Sequence, residues 1–513
     1  MSGPSIADTD FWREKLVALG FSDNGERLRG PVSWEDPASG AVTARVEITP
    51  GERFPFAPPR VVILDAGASL EITFHIDRDD SLCLWENDWA VDEAPWRDPR
   101  ALLCRIGGWL ENTASGWPGD DVCDLERYLE QDQDNLVLYD APALLPGRAV
   151  RTAAGPTPAA IVVTGEQRRV DDILRDPRAR RRKDNRLAWI ADIGAVERPL
   201  RAWTDVAAAL GARAGEVRRL IGFGVVDLLL LRYSRGRAGS VLALTVRGSP
   251  AGIQVTACES ADSSAVTRSM RAGPAAAELA EVKVAIVGCG AIGSFAADLL
   301  FRAGVRQLTL RDGERLRPGN VVRHLGGAEQ VGQAKTHAVR DCLARVDANV
   351  HGVKGQAQPL LRLDDAIALV RDHDVVLDAT GNARASSLLA TAAWGVGPGL
   401  GHVVVAACVQ RDGDVLRVDR LPLRGKERYL PALPLLDDAA HPREQGCGGP
   451  VSPAPPGAVI AAAELAHRVV IDEATRACTL PATIAEVRRA QPEPPYDRVG
   501  RVTSDDTATG SVT

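Results

Sequence analysis

Val282-Lys-Val-Ala-Ile-Val-Gly-Cys-Gly-Ala-Ile-Gly293 is the stretch on which the reading of this chain turns. A β-branched run of strand length, Val282–Val287, meets Gly288, Gly290 and Gly293 at once. A helical apolar pattern then continues from Ala291 to Phe301. Strand, glycine turn and helix in that order suit a phosphate-binding loop. Glycine lets the backbone come close to phosphate, and the first helical turn offers unpaired N–H groups. Taken alone, such a loop fits any dinucleotide enzyme. A second strand, Gln307–Arg311, ends in Asp312, where an acid is expected to bond a ribose hydroxyl. Asn320-Val-Val-Arg323, Gly332-Gln-Ala-Lys335 and a third strand, Asp374–Leu377, follow, the last ending in Asp378-Ala-Thr-Gly-Asn382. Hydride transfer needs the acid after the second strand but not an Arg, a Lys and a further acid over the strand ends. Two cations and a carboxylate around a phosphate loop suit ATP with Mg²⁺: Arg323 and Lys335 offset phosphate charge, and Asp378 holds the metal.

With those residues in view, the sequence resembles the ThiF/MoeB-like adenylation domain of the ubiquitin-activating family, which includes bacterial sulfur-carrier and molybdopterin activators. The pieces between about residues 270 and 475 stand in that family's order and spacing. The resemblance implies a Rossmann-like fold with a mainly parallel sheet. It also implies phosphate contacts from Asn320, Arg323 and Lys335, ribose at Asp312, Mg²⁺ at Asp378, a nucleotide contact at Asn382, and a homodimer. Members of the family often reach an upstream arginine into the partner's ATP site, and Arg268 and Arg271 stand in that region.

Composition sets the frame. A chain of 513 residues, 45% hydrophobic and 25% charged, predicts about three globular domains. A net charge of −7 argues against a nucleic-acid binder held by bulk electrostatics. No apolar run approaches membrane-spanning length, and residues 1–20 are acidic and amphipathic rather than signal-like. Nine cysteines, an odd number without CxxC pairs, fit a reducing, cytoplasmic setting better than a disulfide framework. The missing CxxC also departs from zinc-bearing sulfur-carrier activators, so no structural zinc is expected.

Residues 1–140 read as an α+β domain. Thr9–Leu19 is an amphipathic helix with Phe11, Leu16, Val17 and Leu19 available for burial. Strands follow at Glu26–Ser33, Ala41–Thr49 and Arg60–Leu64, the last two separated by the Pro-rich turn Phe54-Pro-Phe-Ala-Pro-Pro59. After His75-Ile-Asp-Arg-Asp-Asp-Ser-Leu-Cys83-Leu-Trp85 comes a helix, Arg100–Leu110. This order is similar to the ubiquitin-conjugating fold. By that resemblance Cys83 takes the thioester-cysteine position and His75 that of the histidine in the His-Pro-Asn motif. Ile76 and Asp77 replace the proline and asparagine, so the oxyanion-associated amide is missing; Asn87 is a substitute donor to consider. Taken alone, Cys83 reads as a small buried apolar residue. Its place after the histidine loop, beside a nucleotide-activating domain, turns the reading to catalysis. His75 reads as a brace for the loop, and Cys104 and Cys123 as core.

Residues 141–268 read as a small α/β connector. Ala141–Pro158 is a linker by composition. Strands are expected at Ala159–Thr164, Leu187–Ile193, Val226–Tyr233 and Ser240–Arg247, with a helix over Val206–Leu220 and a hairpin at Ser234–Gly239. Arg178–Lys183 reads as a solvated basic loop, and Ala261–Pro274 as a patternless lead into the next domain.

Residues 269–490 form the adenylation domain with its cysteine loop. After an Ala-rich helix from Asn382 to Ala393, Val403–Gln410 and Leu416–Asp419 extend the sheet. Pro422–Pro456 loses periodicity, as functional or disordered loops do, and carries Glu444-Gln-Gly-Cys447-Gly-Gly-Pro450 ahead of a helix over Ala458–Ile471. The resemblance implies that Cys447 is the second catalytic cysteine; flanking glycines and a helix N-terminus favour a thiolate there. Cys289 and Cys408 read as structural. Residues 491–513 read as a disordered tail.

Together these readings suggest one chain that both activates and conjugates. A protein C-terminal carboxylate is adenylated with MgATP, passes to Cys447 as a thioester and then to Cys83, and is attacked by a lysine amine. The fusion resembles bacterial conjugation proteins of anti-phage (CBASS) operons. That implies, as partner, the tail of a small ubiquitin-like protein or of a CD-NTase-type nucleotidyltransferase, plus a lysine-bearing acceptor. The alternatives are a non-catalytic scaffold for a ubiquitin-like protein and a sulfur-carrier activator that makes a thiocarboxylate.

Overall fold

The computed structural model describes residues 6–71, 74–85, 94–163, 165–169, 172, 175, 187–396, 402–434 and 451–505. They divide into two compact units, Met1–Ser264 and Ala265–Thr513.

The first unit opens with helix α1 (Ile6–Ala18) and an antiparallel meander of β1 (Ser22–Asp23), β2 (Leu28–Asp36), β3 (Gly40–Thr49) and β4 (Arg60–Asp65). Strict alternation of buried and exposed residues along β2 leaves one face for the core. Helix α2 (Pro99–Ala114) is capped by the Asp98 carboxylate on the Arg100 amide and lies on that face. Gly107 permits close approach, since a Cβ there would stand 2.9 Å from the Ser33 carbonyl oxygen. The core side of α1 is not the one expected from sequence. Trp12 and Leu16 are buried, whereas Phe11 and Val17 face outward. The Trp12 indole settles this by donating to the Trp96 carbonyl at 2.9 Å and packing on Phe54, with ring centroids 4.5 Å apart.

The remainder of this unit is a mixed sheet of β5 (Gln131–Tyr139), β6 (Arg148–Ala154), β7 (Ala160–Val163), β8 (Arg168–Arg169), β9 (Leu187–Ala195), β10 (Leu228–Arg235), β11 (Ala238–Ser249) and β12 (Gly252–Asp262). Its order is β7-β5-β12-β11-β10-β9-β6-β8. Because β7 pairs with both β5 and β6, seven strands close on themselves and β8 hangs from β6. Ala188, Ile190, Leu228 and Leu230 fill one face. The alternate positions Trp189, Leu229, Leu231 and Leu242 pack against α3 (Trp203–Leu210) and α4 (Ala214–Gly222). Three expectations need correcting. The segment read as a linker contains β6, and β5 lies on the amino-terminal side of the expected boundary at 140. The expected helix Val206–Leu220 is two helices, broken at Gly211 with φ of 56°.

The second unit carries α5 (Ala265–Arg271), α6 (Ala276–Leu279), α7 (Ala291–Arg302), α8 (Lys335–Val346), α9 (Leu363–Asp372), α10 (Ala383–Val396) and α11 (Pro456–Ala474). Its sheet comprises β13 (Lys283–Val287), β14 (Gln307–Arg311), β15 (Val353–Gln356), β16 (Val375–Asp378), β17 (Val403–Gln410), β18 (Val415–Leu421), β19 (Thr483–Val487) and β20 (Gly500–Thr503). The order is β15-β14-β13-β16-β17-β18-β19-β20. The first five strands run parallel, and β18, β19 and β20 continue the sheet antiparallel. The expectation of a mainly parallel sheet thus holds for five strands of eight. The apolar run of β13 is buried on both faces, as central parallel strands are. Strand order reverses beside β13, and the carboxyl ends there open a crevice where ligands bind. The tail expected to be disordered instead supplies β20 and a buried Tyr496. Among the described residues no helix is long and apolar enough to cross a membrane.

Candidate functional site

The glycine loop stands at the carboxyl end of β13. Gly288, with φ of +88°, passes so close to the neighbouring strand end that a Cβ would meet the Ala379 carbonyl at 2.7 Å. A Cβ on Gly293 would stand 1.9 Å from the Gly288 oxygen. These two glycines shape the loop itself. Gly290 is different: the nearest atom to a Cβ there is Lys335 Nζ, at 4.0 Å. Its surface faces open space under a cation.

Lys335 begins α8 and is largely buried, and its ammonium donates to Glu314 Oε2 at 2.5 Å. This hydrogen bond is the main reason the Glu314 carboxyl sits below its ordinary pKa, against the opposing effect of burial. Asp312, after β14, accepts from the Cys289 amide at 2.8 Å and the Glu314 amide at 2.7 Å. It thereby ties the glycine loop to the next strand. Asp378 ends β16 in a buried position and accepts from the Thr380 amide at 3.0 Å and hydroxyl at 2.7 Å. Asn320 accepts from the Arg317 amide at 3.0 Å, and Asn382 caps α10 through the Arg384 and Ala385 amides. Arg323 donates to the Ser452 and Ala454 carbonyls, at 2.5 and 3.1 Å.

A cavity of about 630 Å³ opens beside the loop, lined by Gly290, Arg323, Thr380 and Gly381 and, on its far wall, by Cys408 and Arg411. Lys335, Asp312, Asn320, Asp378 and Asn382 are not among its lining residues, and each is engaged by a neighbour. The residues suit a nucleoside triphosphate: close-packed glycines, an open Gly290, a lysine over it, and a buried carboxylate at the adjoining strand end. A single Asp378 carboxylate is sufficient for a Mg²⁺ that takes its other ligands from phosphates and water. Cys408 is the wrong thiol for nucleophilic work. Burial pushes it up to about 11, with Asp419 adding to the effect. Cys289 is also raised, by burial beneath the loop. Arg268 pairs with Asp347 of its own unit at 3.3 Å, and Arg271 is exposed. Cys447 lies outside the described residues, as do Asn87 and the basic run Arg178–Lys183.

Residues 267–448 match the model of the ThiF family. The second unit carries a ThiF-like domain. The chain is 38% identical over 105 residues to the molybdopterin-synthase adenylyltransferase of Escherichia coli K12, covering 20% of this chain and 41% of that protein. It is 31% identical over 124 residues to the ATP-dependent ubiquitin transferase-like protein Cap2 of Vibrio cholerae, covering 23% of this chain and 21% of that protein. An uncharacterized Sinorhizobium fredii protein, y4oA, is 36% identical over 153 residues, covering 26% of this chain and 25% of its own length. The matched stretches thus span between about a fifth and two fifths of these relatives. Among solved structures, E. coli MccB with MccA-N7isoASN is 17% identical, covers 44% of this chain and 65% of its own, and has a TM-score of 0.35.

The first unit holds a second cavity, of about 780 Å³, whose wall includes Cys83, His75, Trp85, Trp117 and Arg127. Cys83 is partly exposed. Its amide donates to the His75 carbonyl at 2.9 Å, and Arg127 Nη1 lies 3.3 Å from its sulfur. The same guanidinium meets Asp124 at 2.9 Å and Asp77 at 3.3 Å. Burial alone would make Arg127 easier to deprotonate, but contact with Cys83, Asp124 and Asp77 overcomes that and raises its pKa.

His75 is braced from every side. Its backbone sits at φ of 57°, its amide donates to the Tyr128 hydroxyl at 2.9 Å, and Trp109 donates to its carbonyl at 3.0 Å. Its Nε2 is 2.7 Å from Asp120, which also pairs with the buried Arg235. Burial pushes the Asp120 carboxyl up, yet the Val122 amide, His75 and Arg235 outweigh it and hold the pKa low. Arg235 lies over the Phe74 ring at 3.4 Å. Cys104 and Cys123, expected in the core, are exposed and half-buried, because Cys104 faces away from β2 and Cys123 precedes a turn rather than lying in a helix. Sequence reasoning missed Arg127, Asp120 and Glu314. Glu314, two residues beyond Asp312, is the only one with a local signal.

Proposed function

We propose that this chain uses MgATP to activate a protein or peptide C-terminal carboxylate at the glycine-loop cavity and carries the acyl group forward on Cys83. One observation carries the first half: Lys335 Nζ stands over Gly290, while Gly290, Arg323 and Thr380 line one cavity. The residues that would hold the nucleotide are Gly288, Gly290, Gly293, Asp312, Asn320, Arg323, Lys335, Asp378 and Asn382. Lys335 and Arg323 would offset phosphate charge, and Asp378 would hold Mg²⁺. Relatives named as an adenylyltransferase and as an ATP-dependent ubiquitin transferase-like protein support this half.

The second half rests on Cys83, a partly exposed sulfur at a cavity wall with the Arg127 guanidinium, itself held by Asp77 and Asp124, against it. Its neighbourhood favours an acyl carrier over a passive scaffold. Cys447 takes the earlier thioester in this reading. It falls between Pro434 and Ser452, which both line the glycine-loop cavity. A ubiquitin-like protein or nucleotidyltransferase tail as donor, a lysine on the acceptor, and a role in anti-phage defence complete the proposal.

The test is incubation of the full chain with MgATP and peptides ending in a free carboxylate, read on non-reducing gels. The reading requires ATP-dependent, thiol-sensitive label that vanishes from the first unit in Cys83→Ala and from the whole chain in Cys447→Ala. A scaffold leaves Cys83 unlabelled. A sulfide requirement without lysine-linked product transfers the chain to sulfur-carrier activation.

A further inference from the structure

The loop beside Cys83 lacks the asparagine of the histidine motif: the residues after His75 are Ile76 and Asp77, and among the described residues the amide side chain that lines the cavity is Asn112. Ile76 is buried, so its side chain offers nothing to the cavity. An acyl carrier that hands its cargo to an amine must still meet two negative charges. One is the oxygen of the tetrahedral intermediate, and the other is the thiolate that leaves. Both form within about 3 Å of the same sulfur, where a fixed donor acts without reorganisation.

Arg127 is the group so placed. Its Nη1 is 3.3 Å from Cys83 Sγ, closer than any other cation recorded among the described residues. The planar fork is held by two carboxylates on different segments, Asp124 at 2.9 Å and Asp77 at 3.3 Å. Asp77 follows the His75 turn and Asp124 precedes the turn containing Arg127, so the guanidinium is fixed from both sides. A guanidinium carries five N–H donors. Nη1 directs its two hydrogens at Asp124 and Cys83 and Nη2 one at Asp77, so an oxygen arriving beside the sulfur shares the Nη1 hydrogen aimed at Sγ or takes the second hydrogen of Nη2. Arginine also stays charged at any pH at which the protein folds, so the site does not depend on a titrating group.

Resting on the reading of Cys83 as an acyl carrier, we propose that Arg127 is a catalytic residue of acyl transfer from Cys83, serving in place of the motif's asparagine as the oxyanion and thiolate donor. The acceptor amine attacks the thioester carbon, and the carbonyl electron pair moves onto oxygen against Arg127. The amine loses its proton to solvent. Collapse restores the carbonyl and breaks the carbon–sulfur bond, and the Cys83 thiolate leaves against the same guanidinium. The amide bond gained and the thioester bond lost balance, with no oxidant or further cofactor.

The experiment charges the full chain directly, without ATP, using the mercaptoethanesulfonate thioester of N-acetylglycine. Acylation at each cysteine is read by peptide-mapping mass spectrometry. Discharge of the Cys83 acyl group to free lysine is then timed in single turnover for wild type, Arg127→Lys and Arg127→Gln. Melting temperatures accompany each protein. Arg127→Lys retains the stem and charge but loses the fork, so it reads function even where the glutamine variant unfolds. The expected result is a loss of discharge rate of about 10²-fold in Arg127→Gln and a smaller loss in Arg127→Lys, the range typical for one oxyanion donor. Folded variants that discharge at the wild-type rate overturn the role of Arg127 while leaving Cys83 an acyl carrier. Acylation of Cys83 no faster than that of exposed Cys104 overturns the carrier reading itself.

Discussion

Lys335 and Glu314 form a 2.5 Å ion pair directly behind Gly290, so the cation best placed for a phosphate is already engaged by an acid two residues past Asp312. Any triphosphate seated on the glycine loop competes with Glu314 for that ammonium. A carboxylate left nearby also repels the incoming phosphates.

Replacing Glu314 by Gln is therefore expected to tighten MgATP binding. Lys335 is buried but Glu314 is largely exposed, so water screens the pair from the carboxylate side and its worth is on the order of 1 kcal/mol, a gain of roughly fivefold. Titration calorimetry of the two proteins measures it, and an unchanged or weaker affinity contradicts the competition. The pH dependence has a definite sign. Lys335 holds the Glu314 pKa below its usual value, so the pair is intact above the ordinary carboxylate range and is lost as pH falls through the lowered value. The two proteins should converge there.

The glycine loop allows a cleaner separation of folding from binding. Alanine at Gly293 drives a methyl group into the Gly288 carbonyl, and the neighbour that must move is backbone. Such overpacking costs about 1–3 kcal/mol, and Gly293→Ala should lower the melting temperature measurably. Gly290→Ala meets only the flexible end of Lys335, though its backbone, at φ −83° and ψ −142°, lies outside the regions a residue with a Cβ prefers. It should lower the melting temperature less than Gly293→Ala does and weaken MgATP binding by blocking the open surface. A stable Gly293→Ala or a tightly binding Gly290→Ala would each contradict this division of roles.

In the first unit, Asp120 joins the His75 loop to Arg235. Arg235 is almost fully buried, and removing its carboxylate strands a charge, at a cost of about 3–5 kcal/mol. Asp120→Asn keeps the shape and loses the charge, so denaturant unfolding at neutral pH should show a loss approaching that range. Because the folded pKa is lowered, the stability it contributes is present above the ordinary carboxylate value and disappears as pH falls through the folded value. The gap between wild type and variant must therefore shrink in acid; a constant gap points to packing alone.

The contrast between what was legible and what was not is physical. The unit built on Val282–Val287 announced itself because its central strand is buried on both faces, leaving an unbroken apolar run before the glycines. Lys335, beside Gly290, and Arg323, on the cavity wall, are nameable from the order of motifs after the loop and the family the chain resembles. Arg127 and Asp120 are not, since each matters only through a residue more than forty positions away. Phe11 was favoured over Trp12 because helical periodicity alone ignores the Trp96 carbonyl that claims the indole. The Pro/Ala/Gly composition around β6 concealed a strand whose hydrogen bonds come from β7, β8 and β9, all later in the chain.

The carboxyl-terminal segment shows the same limitation and allows a direct test. Its composition reads as a tail, yet Tyr496 is buried, and its hydroxyl donates to the Pro431 carbonyl at 2.7 Å while meeting Arg417 at 3.0 Å. Gly500–Thr503 completes the sheet along β19, and Glu493 pairs with Arg411 at the cavity wall at 3.1 Å. Ending the chain after Ala490 removes all of these and bares the edge of β19. Loss of a buried aromatic alone costs about 3–5 kcal/mol, so the shortened chain should unfold at clearly lower denaturant and aggregate through the exposed edge. A chain ending after Asp505 keeps every one of those contacts and should unfold at higher denaturant than the chain ending at Ala490. Tyr496→Phe isolates the hydroxyl: a loss of about 1 kcal/mol is expected for the hydrogen bond it makes. A chain ending at Ala490 that unfolds like the full protein would return the segment to the disordered tail its composition suggests.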